Sequence, residues 1–332
     1  MTKTEVVVVT GATSGVGRAV VERFARDGAK IALLARGQDG LAAAATEVER
    51  LGGTSLPLPT DVADAVAVEA AAAATEDALG EIDIWINNAM TTVFAFFEDV
   101  EPEEFRRATE VTYLGAVWGT RAALRRMTPR DRGTIVLVGS ALAYRGIPLQ
   151  SAYCGSKHAT KGFFESVRTE LMHSGSNVHM TMVQLPAVNT PQFDHCRSKM
   201  PRNAMPVPPI FQPEVAADAV HWAAHHRRRQ LYVGGSVVET ISGNRLAPWL
   251  ADRYLARNGV DAQQTREEMD GPRAGNLFEP TAGDPGAHGR FDAESRRRSV
   301  QLALTKHRRA LAAVAVAAVF SAAAAGIRTR FA

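Results

Sequence analysis

The sequence predicts an α/β fold, a doubly wound parallel sheet covered by helices on both faces in three αβα layers. Three observations predict it. Over the first 235 residues, short β-branched runs alternate with longer alanine-rich helical stretches. Several of those runs are apolar throughout, as parallel strands covered on both faces must be. A glycine-rich turn, TGATSGVG at Thr10–Gly17, joins the first run to the first helical stretch. A chain of 332 residues with 46% hydrophobic content can bury a sizeable core.

In chain order, strands are expected at 5–10 (EVVVVT), 30–35 (KIALLA), 54–59, 82–86 (IDIWI), 133–139 (GTIVLVG), 177–185 and 230–233. Helical patterns fill 15–28, 37–51, 63–79, 101–127, 151–174 and 213–226, the last opened by Gln212-Pro213-Glu214 with proline in its first turn. Beyond residue 240 the character changes. Residues 243–258 read as one amphipathic helix, 259–291 as a Gly-, Pro- and polar-rich linker, and 292–309 as a basic helix. The stretch 310–327 (ALAAVAVAAVFSAAAAGI) has 18 uncharged residues flanked by basic ones. At about 1.5 Å per residue it spans about 27 Å, enough for a marginal C-terminal membrane anchor. Ten of its residues are alanine, which weakens the transfer energy. The expected organisation is a catalytic domain at 1–240, a helical and linker extension at 241–309, and an anchor helix at 310–327.

Composition narrows the class. Two cysteines, Cys154 and Cys196, cannot build a disulfide framework, and no cleavable secretion signal opens the chain, so a reducing, cytoplasmic setting is expected. The net charge is +3, with arginine clusters late in the chain but no helix-turn-helix, zinc or aromatic-basic signature. Nucleic acid is therefore not expected as a partner. His221, His225 and His226 lack a carboxylate or cysteine partner in sequence, and no metal site is expected.

Gly11, Gly15 and Gly17 let the loop turn tightly and bring backbone N–H groups to a pyrophosphate, with the positive end of the next helix behind them. About 140 residues later, SAYCGSK places Tyr153 and Lys157 four positions apart, one helical turn. A tyrosine with a pKa of about 10 is a poor base near neutrality, and an adjacent ammonium draws it down. Ser140, thirteen residues before Tyr153, closes the strand TIVLVGS, where ligands of an open α/β sheet bind.

A TGxxxGxG loop at the start followed by YxxxK resembles the short-chain dehydrogenase/reductase family, over roughly residues 4–235. The resemblance implies a Rossmann-type fold with a nicotinamide cofactor and a substrate sharing one domain. It assigns Tyr153 as acid/base, Lys157 as the residue that tunes it and holds the nicotinamide ribose, and Ser140 as the binder of the substrate oxygen. Thr112, in EVTYLG, stands where the family commonly has an asparagine and is a substituted fourth member. Cofactor contacts are implied for Gly11, Thr13, Ser14, Gly15, Val16 and Gly17 in the loop. Asp61 and Val62 (TDV) match the adenine contact, and Asn88 and Ala89 (NNA) the stretch beside the cofactor. Pro186, Val188 and Thr190 (PAVNT) match the turn that meets the nicotinamide end. Tyr153 and Lys157 belong to both sets.

The second strand ends LLAR, with Ala35 where a ribose-binding acid would stand and Arg36 after it. This favours the 2′-phosphate of NADP(H) over NAD(H). The proline-rich stretch 191–212 reads as a substrate lid. Phe193, Met200 and Met205 on it, with Met90, Phe94, Leu142, Tyr144 and Ile147, point to an apolar pocket. The expected activity is NADP(H)-dependent interconversion of a secondary alcohol and a ketone or aldehyde, with a lipophilic small-molecule substrate. The resemblance also implies a homo-oligomer. The departures at Met90, Thr112 and Ala187 leave a rival, a catalytically weak NADP-binding regulator or scaffold of the same fold.

Overall fold

The computed structural model of the protein describes residues 4–308. The apolar runs become the seven strands of one sheet. These are β1 (Val6–Thr10), β2 (Lys30–Ala35), β3 (Thr54–Pro59), β4 (Ile84–Asn87), β5 (Thr134–Ser140), β6 (His179–Leu185) and β7 (Gln230–Tyr232). Their order is β7-β6-β5-β4-β1-β2-β3, and every neighbouring pair is parallel. The chain winds outward from β1 through β2 to β3, then returns to β4 on the other side of β1. That reversal opens a crevice at the carboxyl ends of β1 and β4.

Strand β1 shows why both faces had to be apolar. Successive side chains point to opposite faces, and all of VVVVT is buried. Val7 and Val9 join one core layer with Ile31 and Leu33, covered by helices α1 (Gly15–Ala25) and α2 (Gln38–Arg50). Val6 and Val8 join the other with Ala32, Leu34 and Trp85, beneath α3 (Ala65–Leu79). Two further helical segments, α4 (Pro102–Thr109) and α5 (Gly115–Met127), follow, then α6 (Ser151–His173) and α7 (Pro213–His225). Met127 of α5 and Phe164 of α6 sit in the second layer, and Val215 and Val220 of α7 in the first. Helix starts follow capping chemistry: Asp64 Oδ1 accepts from Val66 N–H at 2.7 Å to open α3, and Glu101 with Glu104 forms a capping box on α4.

The structure differs from the sequence expectation in four places. The 101–127 helix is interrupted by a π-helical turn at Glu110–Leu114. The single helix expected at 243–258 is two, α8 (Gly235–Leu246) and α9 (Pro248–Asn258), because Ala247 leaves helical φ/ψ ahead of Pro248. Residues 259–291 do not behave as a free linker: Gln264–Glu268 pairs antiparallel with Arg202–Ala204, and Leu277 is fully buried. The basic helix begins at residue 300 rather than 292. Among the described residues no helix is long and apolar enough to cross a membrane. The expected anchor at 310–327 lies outside them.

One buried polar chain ties β4 to α5. Trp85 Nε1 donates to Asn87 Oδ1 at 3.0 Å, and Asn87 Nδ2 donates to Thr120 Oγ1 at 3.1 Å. Gly119 lets the helix approach, since a Cβ there would lie 2.1 Å from Asn87 Oδ1. Gly119→Ala is therefore expected to destabilise the fold by about 1–3 kcal/mol through overpacking, read as a lower urea midpoint at unchanged m-value.

Candidate active site

The site is built from the carboxyl ends of the central strands. The loop after β1 turns through Gly11 and Gly15, both at positive φ (66° and 54°). It lies so close to its surroundings that a Cβ on Gly17 would stand 2.0 Å from the Gly11 carbonyl oxygen. Thr10 Oγ1 accepts from the N–H groups of Asn88 and Ala89 at 2.9 and 3.1 Å. Asn88 Nδ2 donates back to the carbonyls of Thr10 and Gly11 at 3.0 and 3.2 Å. Asn88 thus buttresses the phosphate loop from the end of β4. Ser14, the N-cap of α1, makes no side-chain cap, so the first-turn N–H groups are left to backbone partners or an anion.

Arg36 and Asp61 stand at the far end of this cleft. Burial pushes the Asp61 carboxyl up, but hydrogen bonds from Arg107 (2.5 Å) and Ala63 N–H (3.0 Å) outweigh it and hold the group below its ordinary value. The Arg36 guanidinium meets the backbone carbonyls of Asn276–Phe278, a neighbour the sequence did not foretell.

At the other end, Ser140 closes β5 with Oγ accepting from Leu142 N–H at 3.1 Å, and its hydroxyl meets the Tyr153 phenol. Helix α6 then presents Tyr153 and Lys157 on one face, with Lys157 Nζ 5.5 Å from the centre of the Tyr153 ring. Lys157 is 4% exposed and donates to the Val138 carbonyl at 2.7 Å. Burial pushes its ammonium down to about 8. The phenol behaves differently from the sequence argument. Burial holds Tyr153 above its ordinary pKa, and only the Ser140 contact draws it back. In a low-dielectric pocket, desolvation of the phenolate outweighs that single contact. Cys154, one residue on, is also buried, and its thiol is pushed up to about 11.

Thr112 stands one layer behind. It is 1% exposed, and its hydroxyl donates to the Thr91 carbonyl at 2.9 Å while accepting from Thr91 N–H at 3.0 Å. One short side chain in the π-helical turn therefore satisfies both backbone groups of the segment after β4. Such turns interrupt α-helices at functional sites.

A cleft of about 740 Å³ joins these parts. Of the residues assigned to the catalytic and cofactor sets, Gly17 and Thr112 are the two that do not line it. The loop residues Gly11, Thr13, Ser14, Gly15 and Val16 share it with Arg36, Asp61, Val62, Asn88 and Ala89. Ser140, Tyr153, Lys157, Pro186, Val188 and Thr190 line its opposite end. A glycine cradle at a helix start with a guanidinium at the far end fits a dinucleotide. The chain's residues there supply N–H donors and positive charge, while Asp61 lines the cleft and Asp284 pairs with Arg18 on the first turn of α1.

The apolar wall is partly as expected. Met90, Leu142, Ile147, Phe193 and Met205 line the cleft, whereas Phe94 and Met200 pack into a small core with Leu149 and Ala204. The Tyr144 hydroxyl turns to Gln230 Oε1 at 2.6 Å. The 191–212 stretch is pinned by short strand pairings at Arg197–Ser198, Arg202–Ala204 and Ile210–Phe211. Arg107, Thr91 and His195 belong to the site and were not foreseen. The Leu277 carbonyl, which accepts from Arg107, lies 170 positions away in sequence, and no local pattern marks such a pairing. Among the described residues no group of three or more His, Cys, Asp or Glu side chains is placed to hold a metal ion.

The chain is similar to known proteins. An uncharacterized oxidoreductase, YxnA, of Bacillus subtilis (strain 168) is 32% identical over 275 residues, 82% of this chain and 76% of its own length. A 3-dehydrosphinganine reductase of Danio rerio is 35% identical over 192 residues, covering 56% of this chain and 57% of that protein. A short chain dehydrogenase/reductase from Burkholderia phymatum, solved in complex with NAD, superposes with a TM-score of 0.68 at 22% identity, over 75% of this chain and 95% of that one; it bears on the fold alone. The sequence pattern of the short chain dehydrogenase family matches residues 5–201. With this sheet order, this glycine loop and this Ser-Tyr-Lys cluster, the chain belongs to the short-chain dehydrogenase/reductase family of oxidoreductases.

Proposed function

We propose that the protein is an NADP(H)-dependent oxidoreductase that interconverts a secondary alcohol and a ketone or aldehyde on an apolar substrate. The observation that carries this reading is the meeting of Ser140, Tyr153 and Lys157 in the same cleft as the glycine loop. A bound nicotinamide dinucleotide supplies the hydride for reduction and takes it in oxidation. The chain's residues do the rest. Ser140 Oγ, with one lone pair engaged by Leu142 N–H, donates to the substrate oxygen and fixes its position. The neutral Tyr153 phenol delivers its proton to that oxygen as negative charge builds there, and burial suits it to the role of acid. Lys157, held by the Val138 carbonyl, places positive charge beside the phenolate that results.

For the cofactor, Arg36 supports NADP(H): a guanidinium forms charge-assisted bonds to a 2′-phosphate, and Ala35 offers no carboxylate to the ribose. For the substrate, the support is the apolar wall of Leu142, Ile147, Phe193, Met205, Val237 and Leu255. The relative named for 3-dehydrosphinganine, a long-chain ketone, points the same way. The cis Pro208–Pro209 pair stands in the same wall.

Three outcomes test the proposal. In a carbonyl screen with NADPH, Tyr153→Phe is expected to lower kcat by about 10²–10⁴-fold while NADPH binding, followed by fluorescence, persists. Unchanged turnover would refute the mechanism. Arg36→Ala is expected to raise KM for NADPH by about 10- to 100-fold, the worth of a charged hydrogen bond, with a much smaller change for NADH. Because burial depresses Lys157, its ammonium is complete below pH about 8 and lost above it. The kcat/KM for NADPH, which reports the free enzyme, is therefore expected to fall as pH rises through that value, and Lys157→Met to remove this limb.

A further inference from the structure

The chemistry proposed above makes no use of residues 276–289, yet this segment crosses the cleft at its phosphate-loop end. Two buried ends hold it. At the first, Leu277 is fully buried beside Val93, Ala95, Ala108 and Ala152. The carbonyls of Asn276, Leu277 and Phe278 accept from the Arg36 guanidinium at 2.6, 3.4 and 2.5 Å. At the second, Phe291 is 6% exposed and its N–H donates to Asn189 Oδ1 at 3.0 Å.

Between these ends the chain arches through largely exposed residues on a few polar contacts. Gly283 N–H donates to Asp39 Oδ2 at 3.2 Å, Arg18 pairs with Asp284 at 3.1 Å, and the Gly286 carbonyl accepts from Gly15 N–H at 2.9 Å. Gly15 N–H and Arg36 are donors that the phosphates of a dinucleotide would claim. The arch engages both with neutral carbonyls, which are weaker acceptors than phosphate oxygens. Gly283 and Gly286 adopt left-handed φ of 69° and 64°, and nothing lies within 4 Å of a Cβ built on either, so both face open space beside the arch.

We infer that Phe278–Gly286 is a hinged strap that gives up its hold on Gly15 to let a dinucleotide in or out and re-seats over it through Asp39 and Arg18. The inference rests on the reading of the cleft as a dinucleotide site. A gate changes the association and dissociation rates together and affinity far less, whereas a fixed wall changes dissociation alone.

Gly37 offers a reversible lock. A Cβ on Gly37 would lie 3.4 Å from the Pro280 Cβ, close to the separation a disulfide needs. The doubly substituted chain Gly37→Cys/Pro280→Cys is prepared oxidised and then reduced, and NADPH binding and release are followed by stopped-flow fluorescence. The oxidised form is expected to show both rates about tenfold slower than the same protein after reduction. Asp284→Ala, which frees the arch from Arg18, is expected to speed both. Equal rates in the oxidised and reduced forms, or a change confined to dissociation, would overturn the strap while leaving the cofactor reading intact. Failure of the unsubstituted chain to bind either NADPH or NADH would overturn the cofactor reading, and the strap with it.

Discussion

The rest of the structure depends on how closely the turn after β1 packs against the end of β4. The backbone of Gly11, the first turn of α1 and the Asn88 amide occupy a space in which a single added carbon at Gly17 would fall 2.0 Å from a carbonyl oxygen. This is a steric constraint before it is a binding feature. It fixes the separation of the two strands flanking the reversal in sheet order and aims the start of α1 along the crevice. Thr10 and Asn88 satisfy each other's backbone groups across that junction, so a buried, irregular stretch carries no unpaired polar cost there. Strands placed outward from this pair then bring β5 and its terminal serine, and the helix after it, to the same rim.

The fold was legible because both sheet faces are covered. EVVVVT, KIALLA and TIVLVGS are apolar at odd and even positions alike, and no surface strand or helix explains that pattern so simply. Even the weakest strand, TSLPLP, is understandable: Pro57 and Pro59 are tolerated because β3 lies at the sheet edge. The loop and the Tyr153–Lys157 spacing were legible for a related reason, since both are local and their chemistry is fixed by a few adjacent residues. The segment around Leu277 was not. Glycine, proline and polar residues compose a free linker and a packed arch equally well, and what separates them is the partner. Arg36 and Arg107 lie far upstream, and nothing in either neighbourhood announces the other.

Thr112, a departure from the family pattern, holds the segment after β4 by its hydroxyl. The hydroxyl is shorter than a carboxamide, yet as donor and acceptor at once it saturates the peptide groups of Thr91. The π-helical turn carries it to within reach. The residues around the reacting groups therefore inherit a fixed backbone behind them, and Tyr153 owes its displaced acidity to burial rather than to a loose pocket.

The closing contacts of the cleft also bear on how the protein is made. The hydrogen bonds from Arg36 to Asn276 and from Arg18 to Asp284 join residues 240 and 266 positions apart. During synthesis, strands β1 to β6 can pair and bury their valines long before residue 276 leaves the ribosome. The nascent sheet therefore stands for a time with the loop after β1 uncovered, and residues 276–289 close that end of the cleft last.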